Sequence, residues 1–218
     1  TITDAYMKGY RDFDIETAYE AMKRNSKEAT MLSRPSTNDW RGTELDKVYW
    51  EKGFFPAKPS DQPEWVKEVG FGRQSVAITL ENCYDDWCMS ILAKELNKEE
   101  DYQYYLKRAL NYQNVFDTAT GFMRPADGRW IEPFDPIWSG GQGRREFYTE
   151  NNGWNYTWYV PHDVEGLIGL MGGREKFTDK LQTMFETNVP LYQKYDFLKQ
   201  YPDMTGWIGM YSHGNEIT

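Results

Sequence analysis

The chain has 218 residues, an apolar share of 39% and a formal net charge of −9. That length allows one large domain with a sizeable buried core, whereas the acidic balance disfavours a nucleic-acid partner, whose phosphates would be repelled. The sequence contains no stretch of the roughly 20 apolar residues that cross a bilayer. It also does not open with a basic and apolar leader.

The first predicted elements are two helices near the start of the chain. One covers residues 3–14, and the second begins after Asp14, whose side chain suits an N-cap. Apolar residues then recur at the spacing of one helix face, at Ile15, Ala18, Tyr19 and Met22. Residues 31–73 are irregular and proline-rich, which predicts a long loop with one short helix.

Two helix hairpins are predicted further along. The segments 75–97 and 98–117 are helical in pattern, and the short connection between them indicates an antiparallel pair. After a second long loop, Asp163 is predicted to cap a helix that Gly172 and Gly173 end. A further helix over 174–187 completes this hairpin. No segment shows sustained strand alternation, so the sequence predicts a mostly α-helical fold.

Both hairpins carry an apolar face, and the first carries the two cysteines. The predicted faces of the second hairpin are Val164, Leu167, Ile168 and Met171, followed by Phe177, Leu181, Met184 and Phe185.

Cys83 and Cys88 lie five positions apart, which places them roughly 140° apart around one helix and disfavours a disulfide.

Glu150 lies within a segment that is dense in aromatic residues. Aromatic residues make up 17% of the whole chain. Amphipathic rings suit ordinary cores and also pockets that are apolar on one side and wet on the other. Desolvation by such rings would keep the carboxyl protonated near neutral pH, as a general acid requires. The alternative is a surface glutamate beside buried rings, namely Phe147, Tyr148, Trp154, Tyr156 and Trp158.

A second group of candidates lies on the helix over 75–97. Glu81, Asp85 and Cys88 follow the spacing of one helix face, with Asp86 and Trp87 turned away from it. Carboxylates beside a tryptophan could bind sugar hydroxyls while the ring stacks on the sugar. The alternative is a solvated acidic edge with a core cysteine.

Two loops carry further polar residues. The segment "YSHGNE" holds His213, Asn215 and Glu216 in a glycine-containing turn, where their oxygen atoms could bind a hard cation such as calcium. In the loop over 117–153, the acidic side chains are predicted to fix turns by hydrogen bonds rather than to act in catalysis. These side chains are Asp127, Glu132 and Asp135.

Taken in order, several segments resemble family 92 of the glycoside hydrolases, the calcium-dependent exo-acting α-mannosidases. They are "DAYMKGYRDFD", "YDDWC" with the helical run after it, "TGFMRPADGRWIEPFDP", "TENNGWNYTWYVPHDVEGLIGLMGG" and "YSHGNE". The resemblance implies an all-α fold of (α/α)6 toroid-type helix hairpins with long aromatic loops, here about half of the ring. Residues 1–218 would form a single, partial catalytic domain, without the β-sandwich that precedes it in the family.

The resemblance also implies a reaction and a set of site residues. The reaction is hydrolysis of terminal α-linked mannose with inversion, with α-1,2 as the expected linkage. Because "ENNGWNY" matches the segment that carries the family's general acid, that role falls on Glu150. The implied sugar-binding residues are Asp85, Asp86, Cys88, Trp154, His213 and Glu216, and the implied calcium ligands are Asn215 and Glu216.

An inverting glycosidase also needs a second carboxylate, roughly 6.5–9.5 Å from the acid, to activate water. In the family that base is an aspartate in a Gly-Asn-Asp-type motif downstream of the segment matching "HGNE", and no such motif occurs before Thr218. We therefore expect the chain to carry the acid without the base and to be inactive alone.

The resemblance further implies mannose-terminated glycans as partners and a parent enzyme that is secreted, periplasmic or at the cell surface. A half-ring would leave apolar helix faces uncovered, so we also expect self-association. Two other hypotheses stay open at this point: a non-catalytic mannose-binding module, and a structural helical scaffold whose aromatic residues are all core.

Overall fold

The computed structural model describes residues 1–28, 44–59, 62, 65–66, 71–137, 147–193 and 196–209. Within these ranges the chain is mainly helical, as predicted. The helices are α1 (Ile2–Met7), α2 (Ile15–Lys27), α3 (Glu44–Lys52), α4 (Ser75–Glu95), α5 (Glu99–Ala109), α6 (Gly153–Tyr156), α7 (Val164–Leu170) and α8 (Arg174–Glu186).

Short antiparallel strand pairs, which the sequence did not predict, connect some of these helices. They are β1 (Trp65–Val66) with β2 (Phe71–Gly72), β3 (Phe116–Asp117) with β4 (Phe122–Met123), and β5 (Asn188–Pro190) with β6 (Thr205–Trp207). Segments of 3-10 helix cover Leu110–Val115, Leu191–Gln193 and Asp196–Leu198. The β5–β6 pair brings the described end of the chain, up to residue 209, back against α8.

The helix ends confirm the capping residues predicted from the sequence. The Asp14 Oδ1 atom accepts the backbone N–H of Thr17 at 3.1 Å, and Asp163 Oδ1 accepts that of Gly166 at 3.0 Å. Gly172 and Gly173 have φ values of 88° and 112° after α7. This left-handed region suits glycine and ends a helix.

The predicted hairpin of α4 and α5 is confirmed and forms the centre of the fold. Asn97, in the turn between the two helices, has a φ of 57°, which asparagine tolerates better than most residues. The backbone N–H of Lys98 returns to Ala93 O at 2.8 Å and closes the turn. Cys83 and Cys88 on α4 are both free thiols, as their spacing predicted.

The core consists of two clusters on opposite parts of α4. The smaller one packs α1 and α2 against α4 and α5, through Tyr6, Tyr19, Met89, Leu92, Ala93 and Tyr105. The larger one packs the first half of α4 against β4, α7 and the aromatic segment, through residues that include Val76, Leu80, Met123, Phe147, Tyr148 and Leu167. The aromatic segment around Glu150 is therefore held against the start of α4.

The loop between β4 and residue 137 is fixed by polar contacts. Arg124 is buried and donates to Asp117 Oδ2 at 2.9 Å and to Glu132 Oε1 at 2.6 Å. Asp127, Glu132 and Asp135 each accept a backbone N–H two residues further on. These bonds confirm the turn-fixing role that the sequence predicted for the three acidic side chains.

Two residues that the helical pattern placed in the core are exposed. Val164 is 46% exposed and Phe185 is 64% exposed. Val164 opens α7 at the surface, and Phe185 instead stacks on Trp207 of β6, with ring centroids 5.2 Å apart. Among the described helices, none combines the length and hydropathy that a bilayer crossing requires.

Candidate active site

Glu150 occupies a strained turn in the aromatic segment. The residue is partly buried and has a φ of 53°, a value uncommon for a residue with a side chain. Gln74, just before α4, has a similar φ of 51°. The two positions are linked, because Thr149 Oγ1 donates to Gln74 Oε1 at 3.0 Å. Backbone conformations of this kind cluster at functional sites.

The short helix α6 ties this turn to the described end of the chain. Asn152 caps α6 by accepting the N–H of Asn155 at 3.2 Å, and its Nδ2 atom donates to Ile208 O at 3.0 Å. The Nδ2 atom of Asn155 donates to Gly209 O at 2.8 Å. The backbone at 208–209, which leads in sequence to "YSHGNE", is thus hydrogen-bonded to residues that follow Glu150 by two and five positions.

The residues predicted to bind calcium and the leaving sugar lie outside the described residues. They are His213, Asn215 and Glu216. Within the part of the chain that the structure describes, no group of three His, Cys, Asp or Glu side chains is arranged to hold a metal ion.

The predicted sugar-binding face of α4 lines a cavity of about 530 Å³. Asp85, Asp86 and Cys88 all contribute to its wall, together with Glu81 and Tyr84. Residues of α1 and α2 close the opposite side, among them Thr3, Met22 and Ser26. The structure therefore brings the three predicted α4 residues together at one concave surface.

Desolvation shifts the titration of the groups along this face. Glu81 and Asp85 remain exposed to solvent, yet the surrounding protein removes part of their hydration and raises the pKa of both carboxyls. The Asp85 charge raises the pKa of Glu81 further. Desolvation, followed by the same charge, raises the pKa of the Cys88 thiol. This thiol is therefore protonated near neutral pH and can act only as a weak donor.

Asp86 has a different environment from Asp85. Its side chain is buried and accepts hydrogen bonds from Arg108 Nε at 2.9 Å and from the Tyr49 hydroxyl at 3.3 Å. Burial raises the pKa of Asp86 to about 7, and the Arg108 guanidinium opposes this shift by favouring the ionised form. These partners lie behind the cavity wall, so the contact of Asp86 with a sugar stays a prediction.

A row of tyrosines connects the Glu150 turn with this cavity. The Tyr156 hydroxyl donates to Thr149 O at 3.4 Å. The Tyr156 ring contacts that of Tyr159, which in turn contacts Tyr84 of α4. Sequence reasoning placed Tyr156 among the rings around Glu150 but missed these contacts, since no local pattern relates it to α4.

Trp154 faces another part of the molecule. Its ring meets Phe122 edge-on, with centroids 4.9 Å apart, and the Lys180 ammonium lies 4.8 Å from the indole centroid. Positions 154 and 156 are roughly 200° apart around a helix, which explains why Tyr156 and not Trp154 reaches α4. The contact of Trp154 with substrate stays a prediction.

Comparison with known proteins adds evidence from the sequence. The profile described as "Glycosyl hydrolase family 92 catalytic domain" matches residues 1–218. A curated relative from Arthroderma benhamiae, named an uncharacterized secreted glycosidase, is 30% identical over 217 aligned positions, and the match covers 86% of this chain and 26% of that protein. The chain therefore spans about a quarter of the length of this relative.

Solved structures show a similar fold. A family GH92 α-mannosidase from Bacteroides thetaiotaomicron superposes with a TM-score of 0.67 at 35% identity, over 86% of this chain and 22% of the enzyme. Its complex with mannoimidazole gives a TM-score of 0.68 at 34% identity. A GH92 inverting mannosidase from the same species gives 0.67 at 32% identity, over 84% of this chain and 22% of that enzyme. These likenesses confirm the predicted fold class of (α/α)6-type helix hairpins.

Proposed function

The chain belongs to the catalytic-domain family of glycosyl hydrolase family 92, and on this premise we propose that it carries the general acid of an α-mannosidase, with Glu150 as the proton donor. One observation supports this most strongly. The strained Glu150 turn is hydrogen-bonded on one side to the start of α4 and is followed by asparagines bonded to residues 208–209. Three segments that are distant in sequence are therefore joined around the turn that bears Glu150.

In the proposed reaction, Glu150 donates its proton to the oxygen of the glycosidic bond as that bond breaks. Hydrolysis with inversion requires a second carboxylate, roughly 6.5–9.5 Å away, that activates water on the opposite face of the sugar. We assign this base to another part of the catalytic domain and infer that residues 1–218 alone do not turn over substrate. The 22% coverage of the mannosidase structures is consistent with such a division.

The substrate in this proposal is a glycan that ends in α-linked mannose, with α-1,2 as the preferred linkage. Asp85 and Cys88 line the cavity with polar atoms that can hydrogen-bond the sugar hydroxyls. Asp86 orients the same wall from behind through Arg108. Trp154, His213 and Glu216 are assigned to the sugar by the family resemblance. The complex of a structural relative with mannoimidazole supports a mannose-like ligand.

We further assign Asn215 and Glu216 as ligands of a calcium ion. Their amide and carboxylate oxygens are donors that calcium prefers. When bound, the ion would supply positive charge that favours a distorted form of the sugar. The hydrogen bonds from Asn152 and Asn155 to residues 208–209 bring the chain towards Glu150 just before these two residues.

The proposal extends to the location and assembly of the protein. The curated relative is called a secreted glycosidase, which supports a parent enzyme outside the cytoplasm, in a secreted, periplasmic or surface-bound form. Several large apolar side chains are exposed, among them Met7, Tyr10, Phe185 and Phe197. An uncovered apolar surface favours association, so light scattering of the isolated chain should show self-association.

The test compares Glu150→Gln with Glu175→Gln in the full-length gene product. Glu175 is an exposed glutamate at the start of α8 and serves as the matched control. Mannose release from an α-1,2-linked mannobiose should fall strongly for Glu150→Gln only, while both variants bind mannoimidazole as the wild type does. Binding without any turnover by the wild type would favour a non-catalytic mannose-binding module instead.

A further inference from the structure

The hydrogen bond from the Tyr156 hydroxyl to Thr149 O has no part in the mechanism above. We propose that Tyr156 is a positioning residue that fixes the turn bearing Glu150. This inference rests on the proposed function, because it assigns to Tyr156 the task of orienting the proton donor.

The geometry of the turn carries the inference. Thr149, which immediately precedes Glu150, is held at two atoms: its hydroxyl bonds Gln74, and its carbonyl oxygen lies 3.4 Å from the Tyr156 hydroxyl. Glu150 follows with its left-handed backbone, and such a conformation persists only when its surroundings hold it in place. The Tyr156 hydroxyl is therefore one of two side-chain groups that restrain the residue before the acid.

Tyr156 itself is held in place by the packing of its ring. The ring lies beside Tyr148, with centroids 5.6 Å apart, and beside Tyr159 at 6.2 Å. Tyr159 in turn contacts Tyr84 of α4, which lines the cavity. These rings fix the position of the hydroxyl that donates to Thr149 O.

A tyrosine hydroxyl has a single hydrogen and can donate to only one acceptor at a time. In this structure Tyr156 donates that hydrogen to Thr149 O. Phenylalanine at position 156 would keep the ring and its packing but remove the donor, so Tyr156→Phe isolates the effect of this hydrogen bond.

The experiment compares two substrates that differ in their need for a proton donor. An α-1,2-linked mannobiose has a poor leaving group, whereas 2,4-dinitrophenyl α-mannoside releases its phenolate without protonation. In the full-length gene product, Tyr156→Phe should lower kcat on the disaccharide by about 10- to 100-fold, within the range that general acids supply. The loss on the dinitrophenyl mannoside should be slight, and KM should not change.

A further variant and a control sharpen the test. Thr149→Val, which removes the bond to Gln74, should show the same selective loss and also serves if Tyr156→Phe does not fold. Tyr201→Phe, at an exposed tyrosine far along the chain, should match the wild type on both substrates.

The outcomes separate this inference from the function on which it rests. If Tyr156→Phe and Thr149→Val lose rate equally on both substrates, or lose none, while Glu150→Gln shows the selective loss, the positioning role is overturned and the acid assignment stands. If wild type releases mannose from neither substrate, both proposals are overturned. A selective loss in Tyr156→Phe confirms the inference.

Discussion

Among single residues, Asp86 and Arg108 form the polar contact on which the wall of the cavity depends. Both side chains are buried, and Arg108 also donates to Ser26 O and to the Tyr104 hydroxyl. The two side chains form a buried ion pair next to Asp85. If one partner is lost, the other is left as a buried charged group without an ion-pair partner.

We predict that Arg108→Met lowers the free energy of unfolding by about 3–5 kcal/mol, because it leaves the buried Asp86 charge unpaired. Replacing both residues by apolar ones, as Asp86→Leu with Arg108→Met, should recover much of this loss. Urea unfolding followed by circular dichroism measures both effects. Arg24→Ala, which removes an exposed ion pair with Glu28, should cost less than about 1 kcal/mol, and an equal cost for the two arginines would contradict the prediction.

Lys180 gives a second prediction for a single residue. Its ammonium lies over the Phe122 ring, and desolvation lowers its pKa to about 8. An unfolded lysine titrates near 10.4, so the unfolded state binds more protons between these pH values. Stability from this group therefore rises as the pH increases from about 8 to 10.

Lys180→Met should remove that rise, which we expect to amount to about 1–3 kcal/mol. The measurement is the difference in unfolding free energy between pH 8 and pH 10, compared between wild type and variant so that other titrating groups cancel. Lys176→Met, at an exposed position on the same helix, should leave the pH dependence unchanged. If the unfolding free energies of wild type and Lys180→Met differ by the same amount at pH 8 and at pH 10, Lys180 titrates normally and the prediction is wrong.

At the level of elements, helix α7 contains two glycines with different surroundings. A Cβ atom added at Gly166 would overlap the Asp163 Oδ2 atom and the Tyr112 hydroxyl, which are hydrogen-bonded to each other at 2.7 Å. A Cβ atom added at Gly169 would meet nothing. The first glycine is thus required by the cap of its helix, and the second is not.

We predict that Gly166→Ala destabilises the protein by about 1–3 kcal/mol, because it displaces the Asp163 cap and its bond to Tyr112. Gly169→Ala should instead stabilise it by about 0.5–1 kcal/mol through a lower backbone entropy of the unfolded chain and a better helix propensity. Thermal unfolding of both variants provides the comparison. Similar effects at the two positions would refute the assigned role of Gly166.

The same helices show how far sequence patterns reach. Asp14 and Asp163 were predicted as caps because capping depends on residues three positions apart, and the long α4 was predicted from its sustained period. Val164 and Phe185 were placed wrongly in the core because periodicity gives a face but not the neighbour that covers it. The strand pairs were missed because elements of two or three residues have no measurable period.

For the whole molecule, the candidate site is assembled from residues that are far apart in sequence. Gln74 bonds Thr149, Tyr84 contacts Tyr159, and Asn152 bonds Ile208. Local patterns cannot predict such contacts, because they depend on how the aromatic segment packs against α4. The resemblance to a family pointed to Glu150, but the tyrosine and asparagine contacts around it required the structure.

The most direct test of the account is how the effect of Glu150→Gln depends on the leaving group. In the full-length gene product, kcat on an α-1,2-linked mannobiose should fall by about 10²- to 10⁴-fold, with a much smaller loss on 2,4-dinitrophenyl α-mannoside. That result would identify the Glu150 carboxyl as the group that protonates the departing sugar. An equal loss on both substrates, or an unchanged rate on the disaccharide, would contradict it.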